Sequence, residues 1–118
     1  MMVAQFLMTS EDQVTWHDAE LLWIQGRYFE VHEVLEKLWR NKEGLEREWL
    51  AGVILVAAAL HKGKTSLSGR RRNLAKALIH LERLPDEYLN FAVAEFRASV
   101  AQAIEDPATL PKFPVAGN

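Results

Sequence analysis

Cysteine is absent from the 118 residues. That excludes a disulfide framework, a thiolate nucleophile and a Cys-type zinc site, and it agrees with a cytoplasmic location. A cationic surplus is also missing: 14 Lys and Arg stand against 16 Asp and Glu, for a formal net charge of −2. A dedicated nucleic-acid binder usually shows a clear basic excess, so nucleic acid is not the expected partner. The longest uncharged run, Trp49 to Leu60, falls short of the roughly 20 residues that cross a bilayer, and no membrane association is expected. Met1 to Met8 lacks the basic start of a secretory leader. Strand-type alternation and internal repeats are missing too.

What is present is 49% hydrophobic residues and 25% charged residues, the proportions of a soluble globular protein. The length suits one helical domain over residues 1–118, with a short lead at 1–9 and an extended tail at 106–118. Four Trp supply large buried area, each with an N–H that needs a partner.

The helices are read from period and punctuation. Ser10-Glu11-Asp12-Gln13 has the form of a capping box opening a first helix that runs to about Gln25. That helix buries Trp16, Ala19, Leu22 and Trp23, and Gly26 stops it. A second helix follows from Tyr28 to Arg40. At 100° per residue, Tyr28, Val31, His32, Val34, Leu35, Leu38 and Trp39 fall on one arc. Glu36 lies at its edge and Glu33 further towards solvent. A third helix, about Leu45 to His61, is apolar all round from Leu50 to Leu60 and should be central. A basic loop, Lys62 to Gly69, leads to a fourth helix from near Ser68 to Leu84, ended by Pro85. Tyr88 to Phe91 reads as irregular, and a fifth helix spans about Ala92 to Glu105. Pro107, Pro111 and Pro114 make the tail an extended strap packed across the third helix. The expectation is an all-α bundle of about five helices.

The stretch Gly26-Arg27-Tyr28-Phe29-Glu30-Val31-His32-Glu33-Val34-Leu35-Glu36-Lys37-Leu38-Trp39 resembles the hallmark of the family catalogued as domain of unknown function 309. Its pattern is a helix break, an aromatic pair, then His-Glu-x-x-Glu-x-x-Trp. A second segment, Gly52 to His61, is similar to that family's following helix. The resemblance covers about Leu22 to Leu84. It departs at Ala51 and Leu55, where the family often has Gln, and in the loop, where Lys64-Thr65-Ser66 and Gly69 replace an Asn-containing run. The resemblance implies a compact helical bundle and no established activity.

His32 and Glu36, four apart on one helical face, can meet. With His61 from the next helix they form a candidate mononuclear divalent-metal site, and Glu33 is then the candidate catalytic base. The order is neither the metalloprotease His-Glu-x-x-His nor a duplicated Glu-x-x-His. The alternative is a structural polar network, in which Glu36, the Trp39 indole or a carbonyl satisfies His32. Arg70 shares the face of Leu74 and Ala77, so it either pairs with Glu36 or Glu33 or lies in the loop. Gly63-Lys64-Thr65 imitates the end of a phosphate-binding loop but lacks the earlier Gly and the strand. Lys62, Lys64, Arg70, Arg71 and Arg72 form a basic cluster that reads first as a solvated loop and helix start.

These observations favour a binding or interaction module for a small molecule or a protein, with a pocket rimmed by His32, Glu36 and Trp39. A metal-assisted hydrolase using His32, Glu36 and His61 is the second reading. A structural homo-oligomer without a ligand site is the third.

Overall fold

The computed structural model describes residues 9–117. The expectations for Met1 to Met8 lie outside the described residues. Five helices follow one another: α1 (Ser10–Ile24), α2 (Tyr28–Trp39), α3 (Gly44–Lys62), α4 (Leu67–Leu81) and α5 (Val93–Glu105). Among the described residues there is no strand, only an isolated bridge between Tyr88 and Phe91. No helix among them is long and apolar enough to cross a membrane.

α1 begins one residue earlier than the capping pattern predicts. Thr9 is the N-cap, and its hydroxyl accepts from the Asp12 backbone N–H at 3.1 Å while the Asp12 carboxylate accepts from the Thr9 N–H at 3.3 Å. Thr-Ser-Glu-Asp and Ser-Glu-Asp-Gln both satisfy the box, and the acid wins because it also faces the positive end of the helix. At the other end Gly26 takes φ +75°. Its N–H reaches the Trp23 carbonyl and the Arg27 N–H reaches Leu22, each at 2.9 Å. That pair of hydrogen bonds is a Schellman stop, which needs a residue tolerant of the left-handed conformation.

α3 is the central helix. It packs against both α2 and α4 and buries Trp49, Leu50, Val53, Ile54, Val56, Ala57, Ala59 and Leu60. Gly52 lets α4 approach: a Cβ there would lie 2.6 Å from the Leu81 side chain. Around Trp49 gather Trp16, Phe91 and Phe96, with ring centroids 6.4, 4.9 and 5.7 Å away. Such offset and tilted arrangements suit aromatic quadrupoles.

The tail seats against α1. Phe113 packs 4.7 Å from the Trp16 ring and 5.3 Å from the Trp23 ring. The Trp23 indole N–H donates to the Pro111 carbonyl at 3.0 Å.

Arginines close the ends of α4 and α5. The Leu81 carbonyl would bond the N–H four residues on, but that residue is Pro85, and the Ala103 carbonyl meets Pro107 in the same way. Arg97 of α5 donates to Leu81 (3.1 Å) and Leu84 (3.0 Å). Arg70 of α4 donates to Ala103 (2.7 Å) and to Thr109 in the tail (2.6 Å). Each helix thus supplies a donor near a proline of the other, at Leu81 in addition to the Leu84 N–H, which donates to the same carbonyl at 3.2 Å.

Candidate functional site

The outer face of α3 is a trough between α2 and α4, and it holds two clefts. Along α2 the lining residues are Phe29 and His32, then Glu36 and Trp39. Their spacing of three, four and three keeps them on one side of a helix. The first cleft, about 290 Å³, is lined by Glu36 and Trp39 of α2, Arg47, Glu48, Ala51, Ile54 and Leu55 of α3, and His80 of α4. The second, about 230 Å³, is lined by Phe29, His32, Ala58, His61, Lys62 and Asn73.

In the first cleft Trp39 is the only one of the four Trp that is not fully buried, and its ring forms a wall. The Arg47 guanidinium carbon sits 3.7 Å from the ring centroid. Its Nη1 also donates to the carbonyls of Trp39 (3.4 Å) and Lys42 (3.3 Å). Stacking plus two carbonyl acceptors holds a planar cation in one orientation. Across the cleft, the Glu48 carboxylate meets His80 Nδ1 at 2.7 Å and accepts from Arg83 Nη1 at 3.1 Å on both oxygens. The hydrogen bond from His80 is the main reason its carboxyl titrates below the ordinary Glu value; burial works against it, and Arg83 adds to the lowering. Ala51, Ile54 and Leu55 make the floor apolar.

The residues singled out in the sequence fall in different places. His32 and His61 share the second cleft, where His61 lies 5.4 Å from the Phe29 ring. Glu36 and Trp39 belong to the first. Glu36 is 39% exposed and takes Arg40 as a partner at 3.3 Å, one turn along its own helix. Glu33 is exposed and lines neither cleft. His32, Glu36 and His61 are therefore not brought together as a ligand set. Among the described residues no three His, Asp or Glu side chains are grouped as metal ligands. His32 is half-buried rather than enclosed, because α4 does not close over this stretch of α2.

Arg70 corrects both alternatives offered for it. It lies within α4, 5% exposed, and its partners are backbone carbonyls rather than Glu33 or Glu36. The helix C-terminus carries partial negative charge on unbonded carbonyls, which satisfies a guanidinium without a carboxylate. The signal was in the sequence: Pro107 four residues after Ala103 leaves an acceptor without its helical donor. Arg47, Glu48 and His80 were missed. Glu48 and His80 join across two helices, a pairing no local period announces, while Arg47 reaches Trp39 around the α2–α3 turn.

A second acidic residue of α3 behaves in the opposite way. Glu46 is 8% exposed, and its Oε2 lies 3.9 Å from Lys42 Nζ without a hydrogen bond. Burial raises its carboxyl above the ordinary value; Lys42 lowers it and Asp12 raises it further.

Comparison with known proteins places this geometry. A family model described as "Domain of unknown function (DUF309)" matches residues 16–67, the stretch that carries α2 and α3. The chain is similar to an uncharacterized protein of Aquifex aeolicus (strain VF5), 27% identical over 106 residues, 86% of this chain and 31% of that protein. The chain therefore spans about a third of that relative's length. It is also similar to the crystal structure of a conserved hypothetical protein from Thermus thermophilus, with 41% identity and a TM-score of 0.61 over 76% of this chain and 95% of that one. The chain belongs to the family described as domain of unknown function 309.

Proposed function

We propose that the protein is a binding module whose ligand site is the cleft between Trp39 and His80, and that it takes a small organic molecule with an apolar body and an amine head. The observation that carries this reading is the Trp39–Arg47 stack, fixed by two carbonyls. It gives the cleft a wall that exists before any ligand arrives, and such preorganisation reduces the cost of binding. The floor of Ala51, Ile54 and Leu55 suits an alkyl or ring body. Glu36 and Glu48 place two carboxylates on the rim. The Glu36–Arg40 pair, 39% and 65% exposed, is worth at most about 1 kcal/mol, so an incoming ammonium readily replaces it.

The test is calorimetric titration and thermal shift with linear alkylamines, from butylamine to octylamine. Each added methylene should tighten binding about fourfold, the value of burying one CH₂, and Tm should rise with ligand concentration. Ala51→Phe fills the open floor and should abolish the series, while Glu36→Gln should weaken every member alike. A flat response to chain length, or an undiminished response in Ala51→Phe, would sink the reading. The hydrolase alternative gains no support from this site, since its three ligands are divided between two clefts.

A further inference from the structure

The charge of this chain is segregated. From Trp49 to Leu81 there is no Asp or Glu, while Lys62, Lys64, Arg70, Arg71, Arg72 and Lys76 all fall in that stretch. Arg70 is consumed inside the fold, and Lys64 bonds the Gly26 carbonyl at 3.2 Å. Lys62, Arg71, Arg72 and Lys76 are exposed, and no carboxylate among the described residues forms an ion pair with them. The net charge of −2 hides this cationic end, because the acids lie elsewhere on the chain.

The second cleft opens at the same end. Phe29 is 53% exposed, so one side of its ring is open to a partner. Its ring lies 5.4 Å from that of His61, tilted by 46°, over a cleft that also presents the Asn73 amide. Lys62 reaches from this cleft over the first turn of α4: a Cβ at Gly69 would lie 2.7 Å from Lys62 Cγ. On α4, Asn73 precedes Lys76 by three residues and Arg72 precedes it by four, so all three share a flank.

We propose that this end of the molecule binds single-stranded nucleic acid. One unpaired base stacks against Phe29 and His61, the Asn73 amide meets its polar edge, and Lys62, Arg72 and Lys76 receive the flanking phosphates. Stacking on an aromatic with cations along the backbone path is how strands are held without duplex geometry. An acidic peptide would use the cations and leave the ring and amide idle. A bilayer could take up the exposed Leu67 but would leave the recess walled by Phe29 and the Asn73 amide unused.

The experiment is fluorescence anisotropy of a fluorescein-labelled oligo(dT) of about a dozen nucleotides with the full chain. Binding should weaken about twentyfold as salt rises from about 50 to 200 mM, the slope for roughly three phosphates on a single strand. Arg72→Ala with Lys76→Ala should weaken binding and flatten the salt slope. Phe29→Ala should cost about tenfold with the slope unchanged. All these side chains are exposed or half-exposed, so unaltered melting curves certify the fold of each variant. Ala51→Phe, in the other cleft, should bind as the parent does, which separates this site from the amine site. Three outcomes would overturn the assignment: no binding at low salt, an affinity indifferent to Phe29→Ala, or equal binding to polyglutamate or to phosphatidylcholine vesicles with roughly a third phosphatidylserine.

Discussion

Arg70, Arg71 and Arg72 are consecutive, yet they serve two different sides of α4. On the side facing α5, Arg70 is buried and both its terminal nitrogens end on backbone carbonyls. On the side facing solvent and α2, Arg72 joins exposed cations beside a half-open cleft. One side is closed by arginine, and the other leaves arginine available. Where carbonyls at a helix end lie within reach, a cation becomes part of the interior; where no acceptor waits, the same residue type stays in solvent.

The sharpest way to break this contrast is Arg70→Met, which keeps the stem and removes the charge. It should lower unfolding free energy by roughly 3 kcal/mol, because two charge-assisted bonds vanish and two carbonyls lose their donor. Urea denaturation reads this directly, and a loss under about 1 kcal/mol would show that water replaces the guanidinium. Arg97→Met should cost less, about 1–2 kcal/mol by the same measurement. Its side chain is 20% exposed and its ion partner Asp86 84% exposed, so solvent can reach the vacated carbonyls.

The smallest effects belong to the two α3 carboxylates and depend on pH. Glu48 titrates below its unfolded value, so its contribution is present above that value and is lost as pH falls through the folded one. Glu48→Gln should therefore flatten the acid limb of the stability curve and cost under about 1 kcal/mol at neutral pH. Glu46 titrates above its unfolded value. Its ionisation penalty is absent in acid and grows as pH rises through the folded value. Glu46→Gln should relieve that loss on the neutral side and change little in acid. Parallel curves for the two variants would contradict the opposite shifts.

Much of the fold was legible because its causes are local. The 3.6-residue period marked the buried face of α2, the unbroken apolar run marked α3 as central, and Gly26 and Pro85 marked helix ends where the structure has them within a few residues. The site was less legible because its causes are not local. Periodicity correctly puts His32 and Glu36 on one side of α2, but only the crossing of α4 decides that they open into separate recesses. Likewise the Glu48–His80 contact joins residues 32 apart. Net charge is uninformative in a third way: it sums over the chain and says nothing of where the unpaired cations gather.

The crossed termination of α4 and α5 has a consequence for how the chain comes apart. Unwinding the last turn of either helix withdraws an acceptor from an arginine rooted in the other, and Arg70 carries the disturbance on to Thr109 and the strap laid along α1. The two helices and the tail should therefore open as one cooperative unit rather than fraying separately, with the mostly exposed proline-rich end held to that unit at Thr109, Pro111 and Phe113.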